Sequence, residues 1–203
     1  MKTRIAVLVS GGGTNLQALI DARDRGELPD GELALVVSNR QNAFALERAK
    51  RSGIPAALCV RQPGEAQAGF EARLSELLEQ HGIQMIVLAG FMAILSGDFV
   101  GRWPGRIINI HPSLIPAFCG AGFYGLRVHR AALDRGVKVT GATVHYVNEI
   151  PDGGPIIAQK AVEVLDGDTP ETLQRRVMEQ AEWLLLPRAA EMVSKKIREE
   201  QIT

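Results

Sequence analysis

The chain of 203 residues has the length of one domain, or at most of two small ones. Its 23 Lys and Arg residues are balanced by 23 Asp and Glu residues, so no positive field favours nucleic-acid binding. The longest apolar run, residues 85–95, is shorter than the roughly 18 to 20 residues that span a bilayer. We therefore expect neither a nucleic-acid nor a membrane partner.

The chain has two cysteines, Cys59 and Cys119, too few for a disulfide framework. The apolar residues 5–9 form a shorter run than the roughly 7 to 15 residues of a secretory signal core, and they predict a first strand. Both features favour a reducing compartment, and we expect a cytoplasmic protein.

Short apolar segments alternate with helical patterns over the first half of the chain. The segments predict strands at residues 5–9, 33–37, 56–60, 85–88 and 106–110. Residues such as Leu16, Leu19 and Ile20 follow helical spacing between them. This alternation predicts an α/β fold in which helices cover both faces of an open, mostly parallel, twisted sheet.

The pattern changes beyond residue 135. Residues 140–147 and 155–164 predict two antiparallel strands joined by the turn at 151–154. Asp168-Thr169-Pro170-Glu171 predicts the start of a long helix, and Pro187 is expected to end or kink it before a charged tail. No repeat or linker divides the chain, so we expect one domain over residues 1–203.

The sequence Ser10-Gly11-Gly12-Gly13-Thr14-Asn15 links the first strand to the first helix. Glycines let the backbone approach a ligand, and the N–H groups at the helix start favour an anion. Leu16 stands where a dinucleotide-binding loop has its third glycine, and the Lys of a P-loop is missing. These residues predict a site for a single phosphate, with a tight turn that binds nothing as the alternative.

A second polar group lies at the carboxyl end of a predicted central strand, where open parallel sheets bind ligands. Asn109 and His111 are two residues apart, so their side chains point to the same side. Asp152 lies in a stiff turn, where an Asp is ordinary. If the sheet brings Asp152 beside His111, the carboxylate would raise the pKa of the imidazole, which suits a proton donor. The alternative is a packed histidine in a capped loop.

Other candidates have weaker signals. His145 either lines the same cleft or packs inside its strand. Cys119 has no base near it in sequence, and no pair of histidines has the spacing of metal ligands, so we predict no metal. Residues 88–95 either form one wall of a flat aromatic-binding pocket or belong to the core.

Taken together, SGGGTNLQALI at 10–20, LAGFMAILS at 88–96, NIHPSLIP at 109–116 and DGGPII at 152–157 resemble the phosphoribosylglycinamide formyltransferases of purine synthesis. The resemblance runs along nearly the whole chain. It implies a Rossmann-like formyltransferase fold, 10-formyltetrahydrofolate as co-substrate and phosphoribosylglycinamide as acceptor. It also implies that the amino-terminal half binds the ribonucleotide and the other half binds the formyl-folate and catalyses.

The resemblance implies roles for individual residues. The catalytic residues of the family fall on Asn109, His111 and Asp152, with Asn109 and protonated His111 binding the oxyanion and Asp152 keeping His111 charged. The implied ribonucleotide-binding residues are Gly12, Gly13, Thr14, Asn15 and Glu182. The implied folate-binding residues are Phe91, Met92, Ala93, Ile94, Leu95, Val147, Asn148, Glu149 and Ile150.

The chain departs from the family pattern at three places. Ala93 stands where many members have an Arg near the tail of the donor. A longer loop at residues 117–125 follows the NIHPSL motif. The Gln-Glu-His of many members reads Gln180-Ala181-Glu182-Trp183 here.

Four alternatives remain. Methionyl-tRNA formyltransferase and formyltetrahydrofolate deformylase share the core but carry an added domain, for which this chain has no room. A nucleotide-binding oxidoreductase would place Arg40 on a 2'-phosphate. A binding module without catalysis would bind ligand and not turn it over. The sequence is compatible with a monomer or a homodimer.

Overall fold

A computed structural model describes residues 1–201 of the chain. The strands are β1 Thr3–Val9, β2 Gly31–Ser38, β3 Ala56–Leu58, β4 Met85–Leu88, β5 Ile107–His111, β6 Val139–Tyr146 and β7 Ile156–Glu163. The helices are α1 Thr14–Asp24, α2 Phe44–Arg51, α3 Gln67–Gln80, α4 Gly97–Gly101, α5 Leu126–Arg135, α6 Pro170–Val177 and α7 Trp183–Glu200. A π-helical turn, Met178–Glu182, joins α6 to α7.

All seven strands form one sheet in the order β3-β2-β1-β4-β5-β6-β7. Strands β1 to β5 are parallel, whereas β6 and β7 pair antiparallel to their neighbours. Residues 5–9 of β1 have no exposed surface, because α1, α2, α6 and α7 cover one face of the sheet and α3 and α4 the other. The predicted fold class is confirmed, including the antiparallel carboxyl-terminal strands.

Two details of the elements differ from the sequence prediction. Strand β3 is shorter than predicted and stops at Leu58. Of the two alternatives predicted for Pro187, an end of the helix or a kink, the first is wrong, because helix α7 continues through Pro187 to Glu200. The buried residues of α7 include Pro187, Val193 and Ile197, and this packing outweighs the loss of one backbone N–H donor.

The strand order reverses beside β1, because the chain moves outward through β2 and β3 and then returns to add β4 on the other side. Ligands of open α/β sheets bind at such a reversal, outside the carboxyl ends of the strands. The Ser10 hydroxyl connects these ends: it donates to Asn39 Oδ1 at 2.6 Å and accepts from the backbone N–H of Met92 at 2.8 Å. Within residues 1–201, no helix is long and apolar enough to cross a membrane.

Candidate active site

Asn109, His111 and Asp152 come together at the carboxyl end of β5. The His111 Nδ1 atom lies 3.4 Å from Asp152 Oδ2, and the Asn109 Nδ2 atom lies 3.5 Å from Asp152 Oδ1. Asn109 and His111 thus point to the same side of the strand, as their spacing predicts. The condition that the sheet brings Asp152 beside His111 is met.

The turn that carries Asp152 is sterically specified. Asp152 has a φ of 55°, in the left-handed region that Asp tolerates better than most residues. Gly154 follows at a position where a Cβ atom would collide with the carbonyl oxygen of Tyr146. A hydrogen bond from Tyr146 N to Pro155 O, 2.8 Å long, ties the turn to the end of β6. The DGGP sequence therefore fixes the carboxylate in space.

His145 is a third neighbour of Asp152, and it lies on β6 directly opposite Asn109. Its Nδ1 donates to the carbonyl of Tyr146 at 2.8 Å, while its Nε2 lies 3.1 Å from Asn109 Nδ2 and 3.6 Å from Asp152 Oδ1. The ring is buried. Both alternatives predicted for His145 therefore apply. The ring packs within its strand, and it also contacts Asn109 and Asp152.

The loop at residues 117–125 covers His111, a contact between separate segments that no local sequence pattern predicts. The Nε2 atom of His111 donates to the carbonyl of Phe118 at 2.9 Å, and the N–H of Gly120 donates to Asp152 Oδ2 at 2.8 Å. Phe118 adopts a φ of 50°, which turns its carbonyl toward the imidazole. In this conformation the loop forms hydrogen bonds with both the imidazole of His111 and the carboxylate of Asp152.

Burial lowers the pKa of His111 below its ordinary value, and the nearby His145 ring lowers it further. The Asp152 carboxylate and the hydrogen bond to Phe118 raise this pKa but do not outweigh burial. The Asp152 carboxylate therefore raises the pKa of His111, as predicted. The prediction is wrong for the overall pKa, which burial lowers below its ordinary value. The loop and the sheet leave His111 only 4% exposed, and this desolvation dominates.

Asp152 itself stays ionised although it is half buried. Burial opposes its negative charge, but the hydrogen bond with the His145 ring, the attraction of His111 when that ring is protonated and the Gly120 N–H together lower its pKa. The cluster therefore keeps a fixed carboxylate beside an imidazole that is mainly neutral near pH 7.

The glycine loop after β1 forms an anion-binding geometry. Gly13 caps α1 in the left-handed conformation with a φ of 72°, and no side chain caps the first N–H groups of this helix. A Cβ atom on Gly13 would lie 2.6 Å from Ala45 Cβ, so only glycine fits between α1 and α2. The helix start thus leaves N–H donors for a ligand such as phosphate.

Asn15 and Glu182 meet beside this loop. Asn15 Nδ2 donates to Glu182 Oε2 at 2.7 Å, and Asn15 Oδ1 meets no partner within the described residues. Burial raises the pKa of Glu182, and the hydrogen bond from Asn15 only partly offsets it. The pair thus leaves one buried acceptor, Asn15 Oδ1, without a partner next to the glycine loop.

The π-helical turn explains how Glu182 reaches Asn15. A π turn is wider than an α-helical turn and changes the direction in which the side chains after it point. Ala181 and Glu182 are both buried in this turn, and the Glu182 carboxyl group points inward to Asn15.

The residues expected to bind folate lie on two segments that approach one another. Phe91, Leu95 and Val147 pack into the same apolar cluster. Glu149 on the second segment approaches Gly97, which follows the first segment: its Cβ atom lies 3.6 Å from the place that a Cβ atom on Gly97 would occupy. Met92, Ile94 and Ile150 are exposed, as apolar residues of a binding surface would be.

A cavity of about 390 Å³ borders the first of these segments and is lined by Asn39, Val60, Arg61, Gln67, Phe70, Met92, Ala93 and Ile94. Gln67 Nε2 donates to the carbonyl of Ile94 at 2.9 Å, and the buried Glu71 accepts the N–H of Ser96 at 2.7 Å. These two residues of α3 hold the segment in place. Neither residue could be predicted from the sequence, because a lone Gln and a lone Glu on a helix form no pattern. Asn148, Glu149 and Ile150 do not line this cavity.

The remaining polar candidates are inert. Burial raises the pKa of the Cys119 thiol, which leaves it a weak nucleophile. His129 on α5 is fully buried, and burial together with His111 lowers its pKa to about 4, so it stays neutral. Within residues 1–201, no group of three or more His, Cys, Asp or Glu side chains has the arrangement of metal ligands.

Comparison with known proteins identifies the family. The model of the formyl transferase family matches residues 3–189. The chain belongs to the formyl transferase family.

Individual relatives and solved structures agree with the family assignment. The chain is 40% identical over 177 residues to phosphoribosylglycinamide formyltransferase from Haemophilus influenzae, which covers 87% of this chain and 81% of that protein. The crystal structure of glycinamide ribonucleotide transformylase 1 from Symbiobacterium toebii superposes with a TM-score of 0.88 at 43% identity, covering 96% of this chain and 89% of that one.

A relative of a different length is the trifunctional purine biosynthetic protein adenosine-3 from Gallus gallus, which is 45% identical over 193 residues. The alignment covers 95% of this chain but only 18% of that protein. This chain therefore matches one part of a much longer relative.

The burial of Glu182 predicts a pH-dependent cost to folding. Because the folded protein holds this proton above the ordinary pKa of 4.5, the unfolded chain ionises first and stability falls as the pH rises through that value. Replacement Glu182→Gln removes this cost. The difference in free energy of unfolding between Glu182→Gln and the natural protein should therefore increase from pH 4.5 to pH 8. Urea titrations across this pH range measure it. The exposed Glu179→Gln on the same turn is the control, and a difference for Glu182→Gln that does not change with pH would contradict the burial argument.

Proposed function

We propose that this chain transfers the formyl group of 10-formyltetrahydrofolate to the amine of 5'-phosphoribosylglycinamide, in the de novo synthesis of purines toward IMP. The observation that carries the proposal is the cluster of Asn109, His111 and Asp152 beside a glycine loop with free N–H donors, within a formyl transferase chain. We expect a cytoplasmic enzyme of one domain that works on small molecules.

The glycine loop and its neighbours would hold the acceptor. The N–H groups of Gly12, Gly13, Thr14 and Asn15 lie at the start of α1, where a phosphate is favoured by hydrogen bonds and by the helix dipole. The free Oδ1 of Asn15 and the carboxyl of Glu182 provide acceptors for hydroxyl or amide groups next to that phosphate. Anchoring the phosphate in this way would place the distant amine near Asn109 and His111.

The transfer balances without any further reactant. The neutral amine nitrogen attacks the formyl carbon and forms a C–N bond, and the bond from that carbon to N10 of the folate then breaks. One proton leaves the attacking amine and one proton arrives on N10. The intermediate carries an oxyanion, for which the Asn109 amide is a suitable donor, and such a donor contributes about 2.7 to 4 kcal/mol.

The environment of His111 suits a proton carrier more than a permanent cation. A mainly neutral imidazole can accept the proton of the attacking amine and then deliver it to N10, directly or through water. The fixed Asp152 carboxylate stabilises the imidazolium while it exists and orients the ring. The Phe118 carbonyl has to release His111 Nε2 before this nitrogen can exchange protons with a substrate.

The donor would lie along the apolar segments on the other side of the cluster. Phe91, Met92, Ile94 and Val147 would present apolar surface to a pterin ring, with Leu95 buried in the same cluster as Phe91 and Val147. Asn148, Glu149 and Ile150 complete this wall in the proposal. Ala93 leaves its position uncharged, and Arg61 is the one charged side chain lining the adjacent cavity.

An assay of purified protein tests this function directly. We expect 10-formyltetrahydrofolate to be converted, as followed by the absorbance of the released folate, only when phosphoribosylglycinamide is present. Equal release with and without the acceptor would instead indicate a deformylase. No release under either condition would contradict formyl transfer altogether.

The roles of Asn109 and Asp152 are tested by substitution. Asn109→Ala and Asp152→Asn should each lower turnover by about 100-fold or more, because one removes an oxyanion donor and the other removes the charge beside His111. Circular dichroism and thermal unfolding check that the variants remain folded. The exposed Asn42→Ala and Asp134→Asn are matched controls, and near-normal turnover in a cluster variant would exclude that residue from the mechanism.

A further inference from the structure

Helix α2 contacts the glycine loop from the side opposite to the loop's free N–H groups. The N–H of Ala45 donates to the carbonyl of Gly11 at 3.1 Å, and Arg48 Nε donates to the carbonyl of Gly12 at 2.8 Å. Two consecutive carbonyls of the loop are thus bound by the same helix.

Because the peptide bond is planar, these contacts determine the direction in which the N–H groups of the loop point. In a trans peptide the C=O of one residue and the N–H of the next point in opposite directions. Binding the carbonyls of Gly11 and Gly12 toward α2 therefore directs the N–H groups of Gly12 and Gly13 away from α2. Among residues 1–201, neither N–H meets a protein acceptor.

Arg48 is held so that its contact with Gly12 is well defined. Its second nitrogen donates to Gln17 Oε1 at 2.8 Å, and its guanidinium lies 5.1 Å from the centre of the Phe44 ring. Within the described part of the chain, no carboxylate pairs with Arg48, so its positive charge is not neutralised beside the loop. A planar guanidinium that bridges two acceptors restricts the loop more than a single ammonium group would.

We propose that Arg48 is a positioning residue of the acceptor site, which fixes the Gly12–Gly13 peptide so that its N–H faces the substrate phosphate. This inference rests on the proposed function, since it assigns the phosphate of the acceptor to the glycine loop. The role is specific to the phosphate and not to the formyl group or the folate.

A comparison of two acceptors in four proteins tests the proposal. The acceptors are phosphoribosylglycinamide and the same compound without its phosphate. The proteins are the natural chain, Arg48→Met, Arg48→Lys and Arg51→Met. Arg51 is the matched control, because its guanidinium lies 5.6 Å from the same Phe44 ring and makes no contact with the loop.

We expect Arg48→Met to raise KM for the phosphorylated acceptor about 10- to 100-fold, the effect of losing a hydrogen bond to a charged group. The values of kcat/KM for the dephosphorylated acceptor and of KM for the folate should remain unchanged. Arg48→Lys should show a smaller rise, and Arg51→Met none. Inorganic phosphate, tested as a competitive inhibitor of the natural protein and of Arg48→Met, should lose affinity by a similar factor.

Several results would overturn the proposal. They are an unchanged KM for the phosphorylated acceptor in Arg48→Met, an equal loss of kcat/KM for both acceptors in Arg48→Met, or full activity in Arg48→Lys. If Arg48→Met does not fold, Gln17→Met removes the second anchor of the guanidinium and should raise the same KM alone. A natural protein that does not prefer the phosphorylated acceptor would count against the proposed acceptor site itself, and so is distinguishable from a failure of the Arg48 assignment.

Discussion

The Asp152 carboxylate connects three parts of the chain that are far apart in sequence. It contacts His111 at the end of β5, lies beside His145 on β6, and accepts the N–H of Gly120 in the covering loop. A buried carboxylate needs such partners to remain charged. The turn holds the backbone of Asp152 in a left-handed conformation, and the contacts with His111, His145 and Gly120 hold its carboxylate.

The sheet determines where this cluster can form. Strand β1 is buried on both faces, so it can contribute polar groups to a site only at its ends, and Ser10 follows its carboxyl end. The ends of β1, β2 and β4 are joined there by the Ser10 hydroxyl, and β5 adds Asn109 and His111 at the same edge. The order of the strands thereby places the glycine loop on one side of β4 and the cluster of Asn109, His111 and Asp152 on the other, where the two proposed substrates would meet.

Much of this arrangement could be predicted from the sequence, because it follows from local patterns. The strands follow from short apolar segments, the tight turn before α1 from three consecutive glycines, and the common orientation of Asn109 and His111 from their spacing along one strand. What could not be predicted depends on contacts between distant segments. The hydrogen bond from His111 to Phe118 depends on how one loop folds back, and it decides the burial that lowers the imidazole pKa. Likewise, nothing in the α2 sequence indicates that Arg48 reaches the carbonyl of Gly12, and the helix through Pro187 reflects tertiary packing that overrides a local preference.

The Asp152 carboxylate stabilises the protonated form of His111, whose pKa is lowered by burial. Nuclear magnetic resonance titration of the protein with ¹⁵N-labelled histidine measures the pKa of His111 in the natural chain and in Asp152→Asn. We expect a pKa of His111 below 6.5 in the natural protein and a still lower pKa in the variant, since the carboxylate raises it. An unchanged or higher pKa in Asp152→Asn would show that the carboxylate does not stabilise the imidazolium.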